Sequence, residues 1–299
     1  MILVNELSKS FGSRRVLQNV TFTAEPGRVT GFVGPNGAGK STVLKTIAGL
    51  VRPDVGSVEV NGTDFAKAAR PGRTMGLFLS AEWLPVHATA SGIVNYVCRS
   101  QGLPLAWGRH ALETVGLAKV AHHRVRTFSL GMRQRLGIAA ATVSRPDVLV
   151  MDEPINGLDP DGIAWIRSFF SSAASQGATV LLSSHHMAEL AEVADDIVMI
   201  GGGRILGQGS IGDFVSSLNE TGYYLESPRP EILIRALSQE GFRVSREGGG
   251  MTVHHTDPTK LASVALESGA GISHLSRVTR SLEETYFEVL ARSASGGRE

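Results

Sequence analysis

The nine residues Gly34-Pro35-Asn36-Gly37-Ala38-Gly39-Lys40-Ser41-Thr42 constrain this chain more than any other stretch of it. They satisfy the pattern of a P-loop. They also stand where such a loop has to stand, after the short apolar run Val29–Val33 and before a helix-like segment over 41–50. Glycines at this spacing let successive backbone N–H groups curl around phosphate oxygens, and the start of the helix adds the positive end of its dipole. Lys40 can then reach the β- and γ-phosphates of a nucleotide, and Ser41 can ligate Mg2+.

The surrounding sequence has the periodicities such a loop needs. Residues 1 to about 30 read as short strands with a loop over 11–15, and 56–62 and 74–79 as further strands. From about 82 to 144 the pattern is helical and strand-poor. Val148–Met151 and 179–182 are buried-strand candidates that alternate with helical stretches near 161–175 and 186–194. That alternation implies a parallel sheet with crossovers. Gly201-Gly202-Gly203-Arg204 turns into a last hairpin strand, and composition shifts near Gly209, which sets a boundary at about 210. Beyond it the order is strand (223–226), helix (231–239), two strands around Gly248-Gly249-Gly250, helix (258–268), strand (272–278) and helix (282–291). A small split β-α-β sandwich fits that order.

Val148-Leu149-Val150-Met151-Asp152-Glu153-Pro154 is an apolar strand that ends in two carboxylates, about 110 residues after the P-loop. Ligands bind at the carboxyl ends of parallel strands. Asp152 is therefore expected near the metal, holding Mg2+ through water. Glu153, expected to point the other way in the pleat, can orient or deprotonate an attacking water.

Together with other segments, these residues resemble the ABC transporter ATPase family over roughly 1–210. Phe128-Ser129-Leu130-Gly131-Met132-Arg133-Gln134-Arg135 looks like the family's signature sequence, ahead of the Asp152 strand where the family has it. Ser129 suits the N-cap of the helix that follows through Val143. In the family this helix start, here Ser129 and Gly131, addresses the γ-phosphate of ATP bound to the opposite subunit, which implies a head-to-tail dimer with two shared sites. Asn156-Gly157-Leu158-Asp159 is similar to the D-loop, with Asp159 expected at the dimer seam. His185, in Ser183-Ser184-His185, matches the switch histidine that donates to the γ-phosphate. Phe11 falls where the family stacks an aromatic on adenine.

The resemblance implies an α/β fold: a P-loop NTPase core with a mixed sheet, an N-terminal antiparallel β subdomain, an inserted α-helical subdomain over about 82–144, and a small α+β C-terminal domain over 211–299. It implies ATP and Mg2+ as cofactors. The partners it implies are a twin or a paired ATPase subunit and a separate transmembrane permease, which in the family docks beside the Q-loop, here near 80–96.

Two departures stand out. Aligning Met75-Gly76-Leu77-Phe78-Leu79-Ser80-Ala81-Glu82 with the Q-loop puts Ser80 where Gln is usual. Its shorter hydroxyl makes Ser80 the outermost candidate for the metal, with Glu82 or a water able to replace it. The signature reads Ser-Leu-Gly-Met where Ser-Gly-Gly-Gln is commonest. Signatures of this kind, and tails like Ser281-Leu282-Glu283-Glu284-Thr285-Tyr286-Phe287, belong to ATPase subunits of bacterial drug, antibiotic and lantibiotic exporters.

Composition narrows the rivals. With 42% hydrophobic and 19% charged residues in 299, the chain can bury a large core. A formal charge of +1 gives no pull toward polyanions, so no nucleic-acid partner is expected. Relatives that act on the ribosome or DNA usually carry two nucleotide domains or long insertions, whereas this chain has one P-loop and one signature. The lone Cys98 excludes an intrachain disulfide and suits a reducing compartment. With no uninterrupted apolar run of spanning length, the expected location is cytoplasmic, on the inner face of the cell membrane through the permease. The adjacent pairs His122-His123, His185-His186 and His254-His255 are expected to diverge and hold no metal, and Trp83, Trp107 and Trp165 to pack in cores or interfaces.

Overall fold

The structure is a computed structural model that describes residues 1–68, 70–218, 222–254 and 257–278. Strands β1 (Ile2–Phe11) and β2 (Arg14–Ala24) form a long antiparallel hairpin. β3 (Val29–Val33) leaves it for a second sheet, and the P-loop joins β3 to helix α1 (Lys40–Ile47). β4 (Val55–Val60) and β5 (Thr63–Asp64) return to the free edge of β1, giving a first sheet in the order β2-β1-β4-β5.

A short helix α2 (Pro71–Thr74) leads to β6 (Met75–Phe78), and then the chain turns helical: α3 (Ala90–Ser100), α4 (Leu105–Thr114) and α5 (Leu130–Thr142). It returns through β7 (Val148–Met151), α6 (Pro160–Ser175), β8 (Thr179–Ser184), α7 (Met187–Ala191), β9 (Asp196–Gly201) and β10 (Arg204–Ser210). The second sheet runs β10-β9-β3-β8-β7-β6, parallel except for the antiparallel β9–β10 pair.

Burial explains the composition of the central strands. β3, β7 and β8 are buried at every position, so apolar residues do not alternate with exposed polar ones: β7 is apolar throughout, and β8 carries a consecutive apolar run over 180–182 flanked by buried Thr179, Ser183 and Ser184. Phe22 of the first sheet and Phe32 of the second meet with ring centroids 5.1 Å apart, inside a core that also takes Leu44 and Ile47 from α1. Each such side chain contributes about 1.5–3 kcal/mol by leaving water. The helices α3, α4 and α5 close around a separate cluster that includes Val94, Cys98, Leu112 and Leu136.

The hairpin departs from expectation in length. β1 and β2 have 10 and 11 residues, not the short strands that the residue pattern suggests. Register shifts between Val4 and Leu7 and again near Lys9, with Glu6 and Asn19 at φ of 50° and 52°, break the alternation along both strands. The tryptophans differ in exposure. Trp83 is 64% exposed, with Lys45 above its ring, and Trp107 is 37% exposed; only Trp165 packs against the helical cluster.

The chain divides into two compact units, Met1–Ile211 and a second that begins at Gly212. The second contains α8 (Ile211–Leu218) in large part, then β11 (Gly222–Glu226), α9 (Pro230–Gln239), β12 (Arg243–Glu247), β13 (Gly250–His254), α10 (Pro258–Glu267) and β14 (His274–Val278). Its sheet order is β12-β13-β11-β14, with every neighbouring pair antiparallel. This is a β-α-β-β-α-β unit around Leu225, Leu233, Leu237, Met251, Val253 and Leu261. The helix expected over 282–291, the 281–287 tail and His255 lie outside the described residues. Among the described residues, no helix is long and apolar enough to cross a membrane.

Candidate functional site

Three parallel strands end side by side and bring the site together. Phe32 and Val33 of β3 stand level with Ser183 and Ser184 of β8, and Met151 of β7 with Leu182. The loops after β3, β7 and β8 therefore start from one edge of the sheet, the carboxyl edge, and carry the P-loop, Asp152–Glu153 and His185.

The P-loop conformation needs its glycines. Gly37 and Gly39 have φ of 82° and 108°, and a Cβ on Gly34 would lie 2.4 Å from the Ile200 carbonyl oxygen. Pro35, Asn36, Gly37 and Ser41 are exposed, Thr42 is half-buried, and Ala38 and Gly39 are buried. Lys40, only 6% exposed, donates from Nζ to the Gly34 carbonyl at 2.6 Å. Gly39 packs against Val16 and Leu17 of β2, whose hairpin partner strand ends at Phe11. Phe11 is 52% exposed, with Lys9 Nζ 5.4 Å from its ring centroid.

The two carboxylates after β7 are placed differently from expectation. The strand ends at Met151, so no pleat separates them. Their directions are set instead by a left-handed residue, Glu153, at φ 50°. Asp152 is buried and accepts a hydrogen bond from the Ser183 hydroxyl, while the same hydroxyl accepts from the Glu153 N–H at 3.0 Å. The Glu153 carboxylate lies between Lys40 and His185, with Oε1 3.6 Å from Lys40 Nζ and Oε2 2.8 Å from His185 Nδ1. His185 and His186 do not diverge: their ring centroids are 3.9 Å apart, because β8 ends at Ser184 and the alternation of the strand ends with it.

Ser129 caps α5, its hydroxyl accepting from the Met132 N–H at 3.2 Å. Both Ser129 and Leu130 are exposed, and Gly131 is half-buried. Asp159 caps α6 by accepting from the Gly162 N–H at 2.9 Å. Ser80 caps a single 3-10 turn over Ala81–Trp83, accepting from the Glu82 N–H at 3.1 Å. Its hydroxyl is thus engaged by its own loop.

Two contributors stand inside the motif stretches 128–135 and 183–185 without these roles being assigned to them. Ser183 ties Asp152 to Glu153 from a strand 31 residues away, and Gln134 of α5 donates to the carbonyls of Glu153 and Asn156. A cleft of about 520 Å3 that includes Trp107, Arg145 and Phe169 in its lining lies toward the opposite, amino edge of β7 and β8 and shares no residue with this site.

Among the described residues, no three His, Cys, Asp or Glu side chains converge on a point. The Ser41 hydroxyl and the Asp152 carboxylate are hard oxygen donors that would hold a divalent ion here, Asp152 through water, with Ser80 as a further candidate. This hard-oxygen set suits Mg2+ that shares the oxygens of a phosphate.

Comparison with known proteins gives the family of the chain. The ABC transporter family model matches residues 17–156. The lantibiotic transport ATP-binding protein SrtF of Streptococcus pyogenes is 37% identical over 206 residues, covering 69% of this chain and 89% of its own. The daunorubicin/doxorubicin resistance ATP-binding protein DrrA of Streptomyces peucetius is 31% identical over 299 residues, covering 98% and 87%. A solved ATP-binding subunit of an ABC transporter superposes with a TM-score of 0.65 at 28% identity, over 73% of this chain and 92% of that one. The chain belongs to the ABC transporter ATP-binding proteins, the ATPase subunits that act in pairs beside a separate membrane permease.

Proposed function

We propose that two copies of this chain, or one copy and a paired ATPase subunit, close head to tail around two Mg-ATP molecules and so drive a permease that exports a drug-like, antibiotic or lipid-like substrate. The observation that carries this reading is the Glu153 carboxylate, held within 2.8 Å of His185 and 3.6 Å of Lys40 at the mouth of the P-loop.

Residues 34–42 grip the triphosphate through backbone N–H groups, and Lys40 neutralises its outer oxygens. Ser41 and, through water, Asp152 would hold Mg2+, with Ser80 as a further candidate, and the ion when bound would supply neutralisation of the triphosphate's charge. Phe11 stacks on adenine. Glu153 takes a proton from the attacking water as general base, and His185 in its doubly protonated form donates from Nδ1 to Glu153 and from Nε2 to the γ-phosphate. Ser129 and Gly131 of the twin close over that phosphate with the N-terminus of α5, and Asp159 lies at the seam between copies.

Residues 1–210 act as the ATPase and 211–299 as an accessory domain. The protein works on the inner face of the membrane through its permease. The export reading is supported by relatives named for lantibiotic transport and for daunorubicin resistance that cover the cassette or nearly the whole chain.

Glu153→Gln keeps the shape of the side chain and removes its basicity. Turnover is expected to fall at least a hundredfold, in line with the usual size of general-base catalysis. An ATP-bound dimer should accumulate on size exclusion in Mg-ATP. Hydrolysis at the wild-type rate would overturn the base assignment.

A further inference from the structure

Gln134 sits on α5 one turn beyond the residues that cap it, and it is 6% exposed. Its Nε2 donates to the Glu153 carbonyl at 3.3 Å and to the Asn156 carbonyl at 3.2 Å. An amide NH2 is the group that can serve two carbonyl oxygens at once. Flipping the amide would set Oε1 against both carbonyls, so the network fixes its orientation. Oε1 itself is buried without a hydrogen-bond partner. A leucine or methionine of similar size would not carry that desolvation penalty, so packing does not explain the residue. Its two donors do.

A second contact runs from the same helix to the same loop. Gly157 has φ 74°, and a Cβ there would lie 2.3 Å from Leu130 Cδ2. Leu158 in turn faces Gly131 and Gly162, where added Cβ atoms would stand 3.4 and 3.1 Å away. The start of α5 therefore bears on residues 157 and 158, and its next turn grips 153 and 156.

We propose that α5 holds the hydrolytic loop of its own chain from these two points, with Gln134 the positioning residue for Glu153 and Leu130 its auxiliary. This rests on the reading of Glu153 as the base. Its consequence is a link between the two shared sites of a dimer. The helix start that addresses the partner's nucleotide is the same rigid element that aims Glu153 at the chain's own, so engagement at Ser129–Gly131 bears on hydrolysis at the other site.

The test is steady-state ATPase kinetics on the full chain with Mg-ATP, at a temperature where each variant is folded by circular dichroism. Gln134→Leu should lower kcat roughly tenfold or more, the size expected for losing positioning hydrogen bonds. The KM for ATP should change less than twofold, because the P-loop is untouched. In a Glu153→Gln background, Gln134→Leu should leave the ATP concentration for dimer formation within twofold. Gln134→Glu should be slow at pH 8 and recover relative to wild type as pH is lowered toward 6, since a protonated carboxyl regains one donor. Gln134→Leu should show no such recovery.

A kcat within twofold of wild type in Gln134→Leu overturns the inference, as does a loss of kcat matched by an equal loss of ATP affinity. If Gln134→Leu does not fold, Leu130→Ala decides: roughly threefold lower kcat at unchanged KM supports the clamp, and wild-type kcat overturns it. Turnover in Glu153→Gln sinks the base assignment whatever Gln134 does. A dead Glu153→Gln beside a fully active Gln134→Leu sinks only the clamp.

Discussion

One hydroxyl sets the positions of both acidic residues after β7. Ser183, itself fully buried, donates to Asp152 and accepts from the Glu153 N–H at 3.0 Å. Ser183→Ala leaves a buried carboxylate oxygen and a backbone N–H unpaired, at about 1–3 kcal/mol each. The expected result is a lower melting temperature and a higher Mg2+ concentration for half-maximal ATPase activity, while Ser183→Thr, which keeps the hydroxyl, stays close to wild type. Parallel melting and Mg2+ titrations of the two variants check this, and equal behaviour of Ala and Thr would show that the hydroxyl is unimportant. The residues of the P-loop, the Asp152–Glu153 pair and the Ser129 cap were legible in the sequence because each is a local pattern beside its own strand or helix. Ser183 and Gln134 were not legible as contributors, since their roles exist only once β8 and α5 pack against the loop after β7. The left-handed Glu153 was also hidden: nothing in Met-Asp-Glu-Pro signals a positive φ at a glutamate.

At the scale of elements, the strands and helices with clean periodicity read directly from sequence, including the six-element order of the second unit. The β1–β2 hairpin did not, because bulges at Glu6 and Asn19 shift which side chains face the core midway along each strand. Something has to hold the far end of that irregular hairpin, where Phe11 lies. Asp54, in the loop before β4, bridges to it: its carboxylate accepts from Lys9 Nζ and from the Ser10 N–H, each at 2.7 Å. The Lys9 hydrogen bond first, and the Ser10 N–H second, hold the Asp54 carboxyl below the usual carboxylate range. A carboxyl with a depressed folded pKa stabilises the fold above its unfolded value, near 4, and loses that contribution as pH falls through the folded value. Asp54→Asn should therefore melt below wild type at pH 7, with the gap narrowing as pH falls below about 4 and closing only once pH has passed below the depressed folded value. A gap that stays constant from pH 7 to pH 3 would show that the charge of Asp54 has no part in it. The Asn variant should also bind ATP more weakly if the Phe11 end is loosened, measurable by nucleotide titration at pH 7.

At the scale of the molecule, the chain divides into two compact units, and the P-loop, Asp152, Glu153 and His185 all fall in the first. The second is built around Leu225, Leu233, Leu237, Met251, Val253 and Leu261, all fully buried. Compact units of one chain can unfold in separate cooperative steps, and calorimetry is expected to resolve two transitions. Mg-ATP binds the native first unit, and at a hundred times its Kd it should stabilise that unit by about 2.7 kcal/mol. For a unit of this size that corresponds to a rise of roughly 5–10 °C in one transition only. Leu237→Ala deletes a buried side chain of the second unit at about 2–5 kcal/mol and should lower the other transition alone. ATPase activity at 25 °C should stay within twofold of wild type, because the P-loop and the carboxyl edge of β3, β7 and β8 are unchanged. The opposite pattern would carry a different meaning: if Mg-ATP and Leu237→Ala move one common transition, the accessory unit is part of the cooperative body that binds nucleotide, and its role would have to be sought in the ATPase cycle itself.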